Sequence, residues 1–207
     1  MTSPAFEALL ETARETHEAA PALREFCDFP NDLEASSFMQ YRNAATDLML
    51  GETGWPDAKL HPLAEAFLKA GPEAHWRETY KGTRLGQIFL DNFACYCLIG
   101  PDAPWKSQQM FGFVIYMPPK FWYTWHHHPA EEMYFVLAGQ GEFCRQDRPS
   151  EHLRAGEAMF HASNESHALR THDSPIMAYV LWRNHFDTKP VLTEGIEDET
   201  RPIRAPS

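Results

Sequence analysis

The sequence predicts a mainly β protein, a β-sandwich or barrel of short strands with an α-helical extension at its N-terminus. Two observations carry that prediction. The texture of the chain changes after Gly82, from apolar residues at helical spacing to short runs rich in β-branched and aromatic residues, separated by Gly, Pro and Asp. The bulk is that of one domain with an extension: 207 residues, 43% hydrophobic and 13% aromatic, enough to bury a core without disulfide staples. On this reading residues 1–82 are a helical extension packing on the barrel, 83–187 the barrel and 188–207 a tail.

In the extension, Ser3 caps and Pro4 starts a helix running to Ala19, with Phe6, Leu9, Leu10 and Ala13 on one face. Pro21 opens a short helix through Phe26. The stretch NDLEASSFMQYRNAATDLML reads as a third helix, capped by Asn31 or Asp32 and ended by Gly51, with Leu33, Tyr41, Ala44, Ala45 and Leu48 on one side. HPLAEAFLKAG is a compact helix with Pro62 near its start and Gly71 just past its end, and PEAHWRETY adds a turn or two. These helices cover a sheet and carry no chemistry of their own. Beyond Gly82, the segments RLGQIFLDNFACYCLIG, FGFVIYMPP, EMYFVLAG, GEFCRQD, EAMFHA and IMAYVLWRN read as strands. From Thr188 the chain is polar and reads as a loosely ordered tail.

Charge excludes one class of partner. Asp and Glu number 29 against 18 Lys and Arg, a net charge of -11, with no basic run or basic helix to neutralise phosphates. Nucleic acid is therefore not expected, and the acidity reads as a solvated surface. No apolar run approaches the length that spans a bilayer, and the opening MTSPAFEALLETARETHEAA has early acids and no apolar core of a signal peptide. Cys27, Cys95, Cys97 and Cys144 form no C-x-x-C pair. The expectation is a cytoplasmic protein with reduced thiols and no membrane partner.

The chemistry lies in TWHHHPAEEMYFVLAGQGEF, Thr124 to Phe143. His126 and His128 are two apart, so on a strand they share a face, while His127 points away. Glu132 follows a turn at Pro129–Ala130, and His167 lies across a second turn in GEAMFHASNESHALR. Three imidazoles and a carboxylate on neighbouring strands can close around one divalent metal: Zn, Fe(II), Mn, Ni or Co, with no choice among them from spacing. The competing reading is a surface histidine cluster and a solvated glutamate. Tyr134 shares a face with Glu132, so it points into the same cavity. A free phenol has a pKa of about 10, and a nearby dication favours the phenolate, making Tyr134 a base, a further ligand, or simply a core aromatic.

HHHPAEEMYFVLAG resembles the first motif of the cupins: H-x-H, a short gap, Glu132 rather than Glu131, six residues and Gly139. GEAMFHASNESH resembles the second, from Gly156 to His167, with Ala162 and Asn164 in place of the usual Pro and Gly and no trailing Asn in Leu169 to Thr171. The match covers roughly Arg84 to Trp182. It implies a jelly-roll barrel, the double-stranded β-helix. The order of a helical section, then FWYTWHHHPAEEMYFVLAGQGEF, then the His of SNESHALR resembles more narrowly the cupin-type lyases of dimethylsulfoniopropionate, the DddQ-like branch. That resemblance implies one metal held by His126, His128, Glu132 and His167, with Tyr134 as base and Tyr123 as a second catalytic tyrosine.

It also implies a small zwitterionic substrate with a carboxylate at one end and a dimethylsulfonium at the other. The metal would bind the carboxylate and stabilise enolate-like charge while Tyr134 takes the α-proton; dimethyl sulfide leaves and acrylate remains. A sulfonium is best held by aromatic faces, for which Trp122, Tyr123, Trp125 and Trp182 are candidates, Trp182 also reading as packing. A homodimer is a family-level expectation. Two further classes stay open: another metal cupin enzyme, whether an isomerase, epimerase or dioxygenase, and a non-catalytic cupin sensor. The acidic N-terminal helices offer a sensor no basic recognition helix.

Overall fold

The computed structural model describes residues 2–195. The N-terminal helices form where their caps are. α1 (Pro4–Ala19) starts on Ser3, whose Oγ accepts from Phe6 N, and α2 (Pro21–Phe26) follows at once. The expected third helix is shorter at its front. Glu34–Ala35 instead form β1, and α3 spans only Ala44–Gly51. The reason is local: Asn43 and Thr46 make a reciprocal capping box, while Asp32 spends both carboxylate oxygens on Ser107 Oγ (2.6 Å) and Gln108 N (2.8 Å). α4 (Pro62–Ala70) matches its expected span, and a single 3₁₀ turn, Gly71–Glu73, replaces the further helix after it. His75 and Trp76 then run extended, bridging to Tyr41 and Tyr96.

A second correction falls inside the expected barrel. Gly86–Asn92 is a helix, α5, rather than the front of a strand. Leu85, Phe89 and Phe93 recur every four residues, and Phe89 stacks on Phe93 at 5.0 Å between ring centroids. The strands follow: β2 (Ala94–Ile99), β3 (Trp105–Lys106), β4 (Phe111–Met117), β5 (Trp122–His127), β6 (Glu131–Arg145), β7 (Glu151–Arg154), β8 (Ala158–His161), β9 (His167–Arg170), β10 (Ile176–Arg183) and β11 (Val191–Leu192). The described part of the tail is also tied down: β11 pairs with His126–His127, and Thr193 N donates to Trp125 O at 2.9 Å. The rest of the tail lies outside the described residues.

Sheet order is β1-β3-β2-β4-β10-β6-β9-β5-β11, with β7 and β8 also on β6. The long β6 serves two sheets. Its first half pairs with β10 and β8, and its second half with β7 and β9, so the sheet folds over into a jelly roll, the cupin barrel. The change of partner falls at Gly139, which has φ +71° and meets Pro175 so closely that a Cβ would lie 1.9 Å from the Pro175 carbonyl oxygen.

The strands divide two cores by period two. On β10, Met177, Tyr179 and Leu181 face the helices, packing with Leu9, Phe67 and Trp76. Ile176, Ala178, Val180 and Trp182 face the barrel interior with Phe113, Tyr134 and Phe143. Both faces are buried, which is why β10 and the start of β6 read as continuous apolar runs. Among the described residues no helix is long and apolar enough to cross a membrane, and none of the four cysteines is in a disulfide.

Candidate metal centre

The candidate centre lies inside the barrel, where β5, β6, β8, β9 and β10 meet. β5 carries a bulge between Tyr123 and His126, one residue more than β9 opposite it. The extra residue turns both Tyr123 and His126 inward, and their rings stack at 3.9 Å. His167 is the register partner of His126 on β9, and Glu132 is flanked by Trp182 on β10 and His161 on β8. His126, His128, Glu132, His161 and His167 are all at most 2% exposed. His127 points out, its Nδ1 2.8 Å from Thr193 Oγ1, and Glu131 turns to Arg183 Nε at 3.0 Å.

Three imidazoles have their tautomers set by the backbone. Nδ1 of His126, His128 and His167 faces the carbonyl oxygens of Thr124 (2.8 Å), Ala130 (2.9 Å) and Glu165 (2.8 Å). A carbonyl only accepts, so Nδ1 carries a proton in each ring, and in the neutral ring Nε2 keeps a lone pair for a ligand role. Those lone pairs converge: the ligand atoms of His126, His128 and His167 lie within 4.8 Å of one another, as do those of Glu132, His161 and His167. Glu132 gives Oε1 to the indole N–H of Trp182 at 2.6 Å. Its Oε2 is 3.5 Å from His128 Nε2 and 3.0 Å from His167 Nε2.

Protonation follows from burial. Burial would raise the Glu132 carboxyl, but the imidazoles of His128 and His167 outweigh it and hold it well below the usual carboxylate range. Burial, with His167 alongside, pushes His126 and His161 well below 6.5. The centre is thus a buried carboxylate beside imidazoles, two of which, His126 and His161, burial holds in the neutral form. His128 Nε2, His167 Nε2, Glu132 Oε2 and both ring nitrogens of His161 have no hydrogen-bond partner. Buried polar atoms left in that state are costly, and a divalent cation taking one lone pair each from His128, His167 and Glu132 would relieve those three at once. The residues present therefore fit one transition-metal ion.

The cavity beside these donors is lined by Arg77, Tyr80, Phe93, Phe113, Tyr123, Tyr134 and Trp182, among others. Tyr134 faces it as period two requires, 5.5 Å ring to ring from His161. Burial, then the Glu132 charge, pushes the Tyr134 phenol well above 10. Tyr123 is raised likewise by burial, and its hydroxyl is 2.6 Å from that of Tyr80. Trp182 lines the cavity and lies over His128, with ring centroids 4.2 Å apart. Trp122 and Trp125 stand apart from it. Their rings are 6.4 Å from each other, and the Arg170 guanidinium covers Trp122 at 4.6 Å. His161, Tyr80 and Arg77 were not singled out in the sequence. His161 is recognisable only from strand register opposite Glu132, and the other two lie in a segment without periodicity.

A jelly-roll barrel with three imidazoles and a carboxylate converging inside it defines a cupin with a candidate metal centre. The family model of dimethylsulfoniopropionate (DMSP) lyase matches residues 40–178. The chain is 43% identical over 192 residues to the dimethylsulfoniopropionate lyase DddQ of Ruegeria pomeroyi, covering 93% of this chain and 96% of that one. The crystal structure of DddQ from Ruegeria pomeroyi DSS-3 superposes with a TM-score of 0.91, covering 94% of this chain and 100% of that one. A second match, to crystal structures of the DMSP lyases RdDddP and RnDddQII, has a TM-score of 0.86 at 32% identity, covering 92% and 98% of the two chains. The chain belongs to the DMSP lyase family.

Proposed function

We propose that this chain is a metal-dependent lyase that cleaves DMSP to dimethyl sulfide and acrylate by β-elimination, with Tyr134 as the base. One observation carries the reading beyond family membership: the ligand atoms of His126, His128, Glu132 and His167 converge inside the barrel, and His126, Glu132 and the inward phenol of Tyr134 line one small aromatic cavity beside them. His126, His128, Glu132 and His167 would hold the ion. When bound, it supplies positive charge that favours the Tyr134 phenolate and stabilises the enolate-like charge of the substrate carboxylate.

The chain's own groups account for the rest. The Tyr134 oxygen takes a proton from the carbon next to the carboxylate. The electron pair left behind forms the carbon–carbon double bond, the bond from the β-carbon to sulfur breaks, and dimethyl sulfide leaves neutral with the pair of that broken bond. Tyr134 then returns its proton to water. Sulfonium is a soft cation, and Phe93, Phe113, Tyr123 and Trp182 present aromatic surface to it in the cavity wall. Trp122 and Trp125 are left out of that wall. Tyr123, stacked on His126 and joined to Tyr80, fixes the side of the cavity next to the ligands.

The experiment is product analysis by proton NMR after DMSP is added to metal-loaded protein. Vinyl signals of acrylate, equal in amount to the DMSP lost, support elimination. A saturated hydroxy acid in place of acrylate would mean substitution by water, and unchanged DMSP would mean a different substrate.

A further inference from the structure

Arg77 stands at the boundary of two cavities. The inner one, beside the converging donors, has a volume of about 30 Å³, and the outer one about 360 Å³. Arg77, Thr79, Trp182 and Pro190 line both. The inner space holds little more than one water, so a substrate with a carboxylate and a sulfonium must also reach these boundary residues. Arg77 is the one Lys or Arg among the residues lining the inner cavity.

Its guanidinium is short of acceptors. Among the described residues it forms no salt bridge within 4.0 Å; it donates from one Nη to Cys97 Sγ at 3.4 Å, and the Cys95 thiol is its other acceptor. A guanidinium has five N–H donors and a thiol sulfur is a weak acceptor. The acids of the outer cavity form no ion pair with it, although the charge of Asp102 favours the guanidinium. Glu78 is taken up by Lys81 Nζ (2.7 Å) and the Tyr41 hydroxyl (3.2 Å), while Asp102 and Asp187 line the outer wall beyond salt-bridge distance. A planar cation partnered only by weakly accepting thiols, and lining both the inner and the outer cavity, is complementary to a carboxylate.

We propose that Arg77 is a second carboxylate-binding group of this site, beside the ion of the lyase reading: it takes the substrate's carboxylate at the boundary of the two cavities and leaves the cationic end to the aromatic wall. The identity of the substrate rests on the lyase reading above; the binding of a carboxylate by Arg77 does not. Arg77 thereby sets specificity, admitting sulfonium acids over their esters or amides.

The test is binding of propionate and of propionamide to metal-loaded wild-type protein, R77Q and R77K, by calorimetry, with metal content and melting temperature measured for each. R77Q should bind propionate about tenfold to a hundredfold more weakly and propionamide unchanged, and R77K should fall between R77Q and wild type. With DMSP, KM should rise far more than kcat falls. Equal propionate affinity in R77Q and wild type overturns the proposal, as does equal loss of propionate and propionamide, which would mark Arg77 as structural. If R77Q does not fold, R77K decides by the same comparison: a weakened propionate with unchanged propionamide supports Arg77, and no change overturns it. Arg77-dependent propionate binding in a protein that leaves DMSP intact would sink the lyase reading while leaving this one standing.

Discussion

The indole N–H of Trp182 donates to Glu132 Oε1 at 2.6 Å, while Oε2 of the same carboxylate lies 3.0 Å from His167 Nε2. One oxygen is thus spent on aiming the other. Groups behind a ligand that orient it in this way govern metal affinity by about tenfold to a hundredfold. Trp182→Phe keeps a ring against His128 and removes the donor. It should bind zinc about tenfold to a hundredfold more weakly in competition with a chromophoric chelator. Wild-type affinity would show that the indole does no more than pack.

Tyr134→Phe tests the base. The ring sits among Phe143 and His161, and its loss of one oxygen leaves that packing intact. The variant should melt like wild type, keep its metal, and lose lyase activity by about a hundredfold or more. Near-full activity would remove Tyr134 from the reaction. Loss of metal together with activity would make it a ligand instead.

Gly139 is the closing residue of the first cupin motif, and its reason is steric. At φ +71°, an added Cβ would stand 1.9 Å from the backbone oxygen of Pro175. That contact lies where β6 passes from one sheet to the other, and neither backbone has room to give. Gly139→Ala should cost more than about 3 kcal/mol, a fall in Tm of roughly 6–12 °C, readable by calorimetry. A Tm within a degree of wild type would mean that the crossing is softer than its geometry.

His17 gives the extension a dependence on pH. It is 1% exposed, its Nε2 donates to the Cys27 carbonyl at 2.7 Å, and burial lowers its pKa from 6.5 in spite of that bond. Between the folded and the unfolded pKa the unfolded chain binds more protons. The contribution of His17 is therefore complete above about pH 6.5 and is lost as pH falls through the lower, folded value. His17→Gln should flatten the decline of Tm between about pH 6.5 and 5 relative to wild type. Parallel declines would place the acid sensitivity elsewhere.

Much of the centre was legible because it lies along the chain. His126 and His128 two apart, Glu132 after a short turn and Tyr134 two further on are strand periodicities, and they put all four side chains inside the barrel. What was not legible depends on pairing across strands. His161 faces Glu132 through the register of β8 with β6, and nothing in its own neighbourhood of sequence announces that. The bulge in β5 is of the same kind. Plain alternation puts Trp125 on the face of Tyr123, whereas the extra residue opposite β9 hands that face to His126.

The helices teach the same lesson. α1 and α4 carry their Pro and cap residues at their own ends, and both begin where the sequence places them. The stretch before α3 has helical spacing too, but Asp32 finds Ser107, 75 residues away, and Asn43 takes over as cap. α5 hid in an apolar run because Phe89 and Phe93 suit a strand by composition as well as a helix by spacing. Arg77 and Tyr80 sit between elements, where neither period speaks, and only the closed barrel shows that they border the cavity.

If His126, His128, Glu132 and His167 hold an ion that makes this cavity a lyase for DMSP, the release of dimethyl sulfide depends on that ion. Headspace dimethyl sulfide, measured by gas chromatography over protein given DMSP, tests it most directly, with metal-loaded wild type, chelator-stripped wild type and Glu132→Ala side by side. Steady release from the loaded protein alone, with metal absent by elemental analysis from the other two, is the predicted result. Release that is equal in all three, or no release from the loaded protein above the buffer blank, would rule out a metal-dependent DMSP lyase at this site.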